Sequence, residues 1–94
     1  MRALVMNNND NVATAVCSLK RAGTVDIQIG ENTDNIVLQS DIPFGHKLAI
    51  TNIERGGNIV KYGEIIGRAL VGIRKGEHVH VHNVEGLRGR GDRE

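Results

Sequence analysis

Gly56-Gly57-Asn58-Ile59-Val60-Lys61-Tyr62-Gly63-Glu64-Ile65-Ile66-Gly67-Arg68-Ala69 decides the fold class. It holds two short β-prone runs, Ile59 to Lys61 and Glu64 to Ala69, bounded and interrupted by glycine. The same alternation extends outward on both sides. Val25 to Ile29, Ile36 to Leu38, Lys47 to Ile53 and His78 to His82 read as further strands, with breaks at Gly30, Gly45, Gly72 and Gly76. So many glycines between short strands imply tight turns and sharp bends in place of a flat sheet. The expected architecture is mostly β, with short bent strands.

Toward the N-terminus, Ala3 to Met6 reads as a first strand and Asn7-Asn8-Asn9 as a loop. Asp10 is placed to cap a short helix over 11–22, whose apolar stripe is Val12, Ala13, Val16 and Leu19 and whose end is marked by Lys20, Arg21 and Gly23. No repeat of fixed period is apparent. The chain divides into a domain over 1–85 and a charged tail over 86–94, which has too little apolar content to pack and is expected to be flexible.

Ninety-four residues make one domain, too small to enclose a large active site alone. Phe44 and Tyr62 are the only aromatics, so the core is aliphatic and base stacking on an aromatic platform is excluded. A net charge of +1 lacks the field of a duplex-binding domain, and no nucleic-acid partner is expected. The lone cysteine, Cys17, has no internal partner for a disulfide and reads as a small core thiol. No apolar run is long enough for a signal peptide or a membrane span, so the expected location is cytoplasmic.

Chemistry concentrates in Gly76-Glu77-His78-Val79-His80-Val81-His82-Asn83. On a strand, His78, His80 and His82 share one face while Val79 and Val81 share the other. Imidazole titrates near neutral pH and is the commonest metal ligand. A solvated polar face is the competing reading. Alternate strand residues stand roughly 6.6 Å apart, whereas donors on one metal are only about 3 Å apart, so a straight strand cannot bring all three rings to one ion. A pair such as His80 and His82 needs a further ligand, for example His46 or a residue of another chain. His46 reads equally well as a histidine satisfied by a backbone carbonyl at a strand start. Lys47, Lys61, Arg88 and Arg90 could hold a carboxylate, or be ordinary surface charges. Arg90-Gly91-Asp92 spells an adhesion tripeptide, but three residues recur by chance.

Four ordered blocks carry a resemblance: Asp10-Asn11-Val12-Ala13-Thr14-Ala15, Ile42-Pro43-Phe44-Gly45-His46-Lys47-Leu48-Ala49, Lys61-Tyr62-Gly63-Glu64-Ile65-Ile66-Gly67 and His80-Val81-His82-Asn83. Together they resemble the SAF-type N-terminal domain of altronate and galactarate dehydratases. Leu87 to Asp92 resembles the connector that follows it. The resemblance implies a β-clip fold and the dehydration of a sugar acid, with a much larger catalytic domain as companion. The chain is expected to be either a separate small subunit, which beginning at Met1 and ending in charged residues favours, or the N-terminal domain of a longer chain, and to be inactive without its large partner. The resemblance assigns catalysis to His46, His80 and His82, metal to His80 and His82, and substrate to Lys47, Lys61, Asn83, Arg88 and Arg90. It also implies a divalent metal (iron, manganese or magnesium) in the assembled enzyme, no membrane, and leaves self-association open. Two alternatives share the domain: the small subunit of sulfolactate sulfo-lyase, and a non-catalytic carbohydrate-binding or assembly module.

Overall fold

A computed structural model describes residues 2–5 and 7–86, with no helix among them. Nine strands form: β1 Arg2–Leu4, β2 Val12–Ala15, β3 Thr24–Ile29, β4 Asn32–Val37, β5 Lys47–Ala49, β6 Asn58–Lys61, β7 Glu64–Ala69, β8 His78–Val79 and β9 Val84–Gly86. A six-stranded sheet runs β4-β3-β1-β2-β5-β8 and a three-stranded sheet runs β6-β7-β9. The mostly β architecture expected from glycine punctuation is what the chain adopts.

Four of the chain reversals use one device. The segments Leu19-Lys20-Arg21-Ala22-Gly23-Thr24-Val25, Ile42-Pro43-Phe44-Gly45-His46-Lys47-Leu48, Ile53-Glu54-Arg55-Gly56-Gly57-Asn58-Ile59 and Ile73-Arg74-Lys75-Gly76-Glu77-His78-Val79 follow a single pattern. An aliphatic residue opens each, another follows six positions later, and all eight of these side chains are buried. The fourth residue of each has a positive φ: 71° at Ala22, 83° at Gly45, 81° at Gly56 and 91° at Gly76. The fifth residue donates its N–H to the carbonyl of the second in every case, at 2.7–3.0 Å. The opening residues pair off in turn, Leu19 with Ile42 and Ile53 with Ile73, each as an antiparallel bridge. Spacing between these corners is irregular, which is why no fixed period shows in the sequence.

Gly76 is the most constrained corner. Its N–H donates to Ala49 O at 2.8 Å, and its carbonyl accepts the Gln39 N–H at 2.9 Å. A Cβ added there would collide with the Val37 carbonyl oxygen. Three stretches of backbone therefore meet where no side chain fits, and this junction launches β8 along the edge of β5.

The helix expected over 11–22 is not formed. Val12 to Ala15 is instead a strand between β1 and β5, and its residues are buried on both faces. Ala13 and Ala15 join the cluster containing Leu19, Ile27, Ile36 and Leu48, whereas Val12 joins Ala49, Ile59, Ile73 and Val79 in a second cluster. A strand buried on both sides loses the period-2 alternation and becomes an unbroken apolar run that imitates a helical stripe. Val16, assigned to that stripe, is exposed, and Cys17 is half-buried against the first cluster.

Asp10 caps a hairpin rather than a helix. The two-residue loop Tyr62-Gly63 joins β6 to β7 with φ of 56° and 73°, the positive values that a type I′ turn requires. Asp10 is buried, and its carboxylate accepts the Gly63 N–H at 2.8 Å and the Tyr62 N–H at 3.1 Å. Next to it, the Asn11 side chain accepts the Val60 N–H at 2.8 Å and donates to Asn58 O at 2.7 Å. These two residues bind the smaller sheet to the start of β2.

Two expectations follow for stability. Gly56→Ala meets open space and suffers only the left-handed backbone, about 1 kcal/mol. Gly76→Ala adds a backbone collision and should cost well over twice that; equal urea midpoints for the two variants would contradict the corner analysis. Val79 is 0% exposed and Val81 is 80% exposed. Thus Val79→Ala should cost roughly 1–3 kcal/mol and Val81→Ala less than about 0.5 in the same denaturation assay.

Candidate functional site

Two corners deliver the histidines to one place. His46 follows Gly45 in the second corner, with its N–H on Pro43 O at 3.0 Å and its carbonyl accepting the Ala15 N–H at 2.9 Å. His78 opens β8, which pairs antiparallel with β5 so that Leu48 faces His78 and Lys47 faces Val79. This pairing brings the His46 and His78 rings together. His46 Nδ1 lies 2.8 Å from His78 Nε2, so one nitrogen carries a proton and the other accepts it.

The expected strand over His78–His82 stops after Val79. Residues 80–83 form a turn, closed by the Asn83 N–H on His80 O at 3.1 Å. The turn folds His80 back over His46, with ring centroids 3.9 Å apart and planes 16° from parallel. Val81, expected to face the core, stands at the tip of this turn and is the most exposed large apolar residue among the described residues. His82 leans on the outer side of His78, at 5.0 Å between centroids. Three imidazoles, those of His46, His78 and His80, each place a nitrogen within 4.8 Å of the other two. His82, expected to be a metal ligand, is not in that set. The third ring of the set is that of His78, one of the three alternating histidines but not among the ligands expected from sequence.

Asn83, expected to touch substrate, is buried in the turn. Its side chain accepts the His80 N–H at 3.0 Å and donates to His78 O at 2.8 Å. It fixes the backbone that carries both rings. Lys47 lies half-buried on β5, and with His80, Ile66, Val79, Val81 and Val84 it lines a cleft of about 200 Å³. Lys61 is at the end of β6, its Nζ 5.0 Å from the Tyr62 ring centroid. Arg88 and Arg90, with the tail over 87–94, lie outside the described residues. A larger groove of about 470 Å³ opens elsewhere, along Ala3, Leu4, Asp26, Gln28 and Thr33. It contains no histidine, and its Asp26 carboxylate accepts the Asn35 amide at 2.7 Å.

Electrostatics at the cluster oppose positive charge. Burial, then the neighbouring charges of His82, His46, His80 and Lys47, push the His78 pKa down to about 4. Desolvation and the charges of His46, Lys47 and His82 lower that of His80. Burial and the charge of Lys61 lower that of Lys47. His78 is therefore neutral at physiological pH, free to accept a proton or to offer a lone pair.

The fold defines a small, mostly β module of the SAF class. The chain belongs to the family of the altronate/galactarate dehydratase SAF domain, which it matches over residues 1–87. It is 39% identical to altronate dehydratase of Escherichia coli K12 over 83 residues, 88% of this chain but 16% of that protein. It is also similar to two (2R)-sulfolactate sulfo-lyase alpha subunits. The one from Chromohalobacter salexigens is 46% identical over 58% of each chain, and the one from Paracoccus pantotrophus is 39% identical over 56% of this chain and 81% of that one. The chain thus spans only a small part of the dehydratases and much of the sulfo-lyase alpha subunits. The resemblance carried by the four sequence blocks is borne out.

The depressed His78 pKa sets a pH dependence. The unfolded chain takes up a proton near pH 6.5 that the folded chain refuses until about pH 4. Stability should fall as the pH is lowered through that window, and His78→Gln should flatten the dependence. Urea midpoints at about pH 7.5 and about pH 5 test this; identical slopes for wild type and variant would contradict the arrangement.

Proposed function

We propose that the chain is the small SAF part of a sugar-acid dehydratase and supplies one wall of an active site completed by a large catalytic subunit. The observation that carries this reading is the meeting of His46, His78 and His80, from two separate corners, beside a cleft that also holds Lys47. Removing water from a sugar acid needs a base for the proton next to the carboxylate, a cation for the enediolate and an acid for the departing hydroxyl. A domain this small offers imidazoles and amines but no enclosure, so the remaining groups come from the partner.

Roles follow from position. His80 lines the cleft and His82 is exposed near it, where an imidazole can take a proton from substrate and return one to the leaving group. His46 lies under His80 and exchanges a proton with His78 along their 2.8 Å contact. Lys47, with Lys61 close enough to perturb it, draws the substrate carboxylate to the cleft. Arg88 and Arg90 reach the same carboxylate from the tail when the partner is bound. Asn83 positions His78 and His80 and touches no substrate. A divalent metal, if bound here, would supply the cation for the enediolate, and His46, His78 and His80 are the residues that would hold it on this chain.

Phe44, 70% exposed and two residues before His46, and Val81, next to His80, flank the cluster with apolar surface that the large subunit covers. The assembled enzyme works in the cytoplasm. Coverage of the sulfo-lyase alpha subunits supports a second reading, in which the same wall serves a lyase that expels sulfite from sulfolactate.

Reconstitution tests the proposal. The chain alone should show no turnover on a panel of aldonates and aldarates, or on sulfolactate, with divalent metals present. Adding the large lyase subunit from the same source should restore turnover on one substrate class, and His80→Ala or His82→Ala should then lower kcat at least about tenfold with the fold intact. Substantial turnover by the chain alone, or full activity in both variants, would overturn it.

A further inference from the structure

We infer that His46, His78 and His80 form a three-imidazole site for a divalent first-row transition metal, and that this chain holds the ion without its partner. The inference deepens the reading of this face as the chain's share of an active site, and its test uses neither partner nor substrate. Failure of metal binding and failure of reconstituted activity are thereby separate results.

The donor set is the first ground. One nitrogen from each ring lies within 4.8 Å of the other two, and His46 Nδ1 and His78 Nε2 are already 2.8 Å apart. Ligands around a tetrahedral ion at 2.0–2.1 Å stand roughly 3.3 Å apart, so coordination asks the closest pair to open slightly and the third to close by up to about 1.5 Å. The near-parallel rings must also fan apart, because each lone pair lies in its own ring plane. Both adjustments are side-chain rotations. The backbone beneath is fixed by the β5–β8 pairing, by the Asn83 side chain across His78 and His80, and by the His46 N–H on Pro43 O.

Chemical selectivity is the second ground. Three imidazole donors favour zinc, iron(II), cobalt(II) or nickel(II), whereas magnesium requires oxygen donors and retains its waters. The trio contains no carboxylate, so magnesium is excluded from this position. Three protein ligands leave a coordination position open, as in catalytic and not structural metal sites. His80 lines the cleft that also contains Lys47, so the open position adjoins a cation suited to a carboxylate. His82 leans on His78 from outside the set and is not a ligand.

Titration of the full chain with cobalt(II) alone at neutral pH tests this. One equivalent should bind, with visible d–d bands of the intensity that marks four- or five-coordination. His46→Gln, His78→Gln and His80→Gln should each weaken binding by roughly tenfold or more, and His82→Gln by less than about twofold. Zinc should compete cobalt out, and a large excess of magnesium should not. On the wild-type chain, imidazole nitrogen NMR with zinc should shift one nitrogen in each of three rings and leave His82 unchanged, which identifies the ligands even if a variant fails to fold. Absence of stoichiometric binding, displacement by magnesium, or ligation through His82 in place of one of the three would overturn the inference.

Discussion

Everything about the site depends on the backbone junction at Gly76. The glycine sits against the Val37 carbonyl while hydrogen-bonding to Ala49 and Gln39, so strands β4 and β5 and the corner before β8 converge where a single methyl group would not fit. That closeness sets where β8 begins and which residue of β5 it faces. With Leu48 opposite His78, the imidazole meets His46 two residues upstream of Leu48. Moving the junction by one residue would turn His78 inward and Val79 outward, because side chains alternate along a strand.

Much of the fold was legible. Short aliphatic runs between glycines gave a β domain with sharp bends, and the runs at Val25–Ile29, Ile59–Lys61 and Glu64–Ala69 correspond closely to β3, β6 and β7. Other features were hidden for identifiable reasons. Val12 to Ala15 packs against a different cluster on each face, which erases alternation. Lys47 to Ile53 reads as one strand, yet β5 is only Lys47–Ala49, because Ile53 already opens the next corner and bridges to Ile73. The corner pattern itself, aliphatic residues six apart with a left-handed residue between, was present but disguised by unequal spacing and by Ala22 standing where the others have glycine.

The candidate site was legible in its composition and only partly in its geometry. Alternation along a strand drew attention to the histidine run, and the distance argument pointed to a residue from elsewhere in the chain; the structure places the His46 ring beneath His80. What sequence could not supply was the turn at 80–83. Once the chain leaves the strand at His80, the rings no longer follow strand parity, so His78 joins the cluster, His82 moves to its outer side and Val81 points to solvent. Asn83 was recognisable as special but not as the residue whose amide shapes that turn. Four imidazoles stand beside a lysine, and burial with the neighbouring charges lowers the pKa of His78 and of His80, which favours nitrogens available to a proton or an ion. Within a family named for dehydratases, that chemistry suits one wall of a lyase cleft.

A structure of the chain assembled with its large lyase subunit and a bound sugar acid addresses the central claim most directly. The measured quantity is the separation between the His46, His78 and His80 nitrogens and the sugar acid, or a metal ion that the sugar acid touches. The account predicts at least one imidazole nitrogen within about 3 Å of one of them, with the Phe44 and Val81 surfaces covered by the partner. A histidine face open to solvent and remote from the bound acid would contradict it.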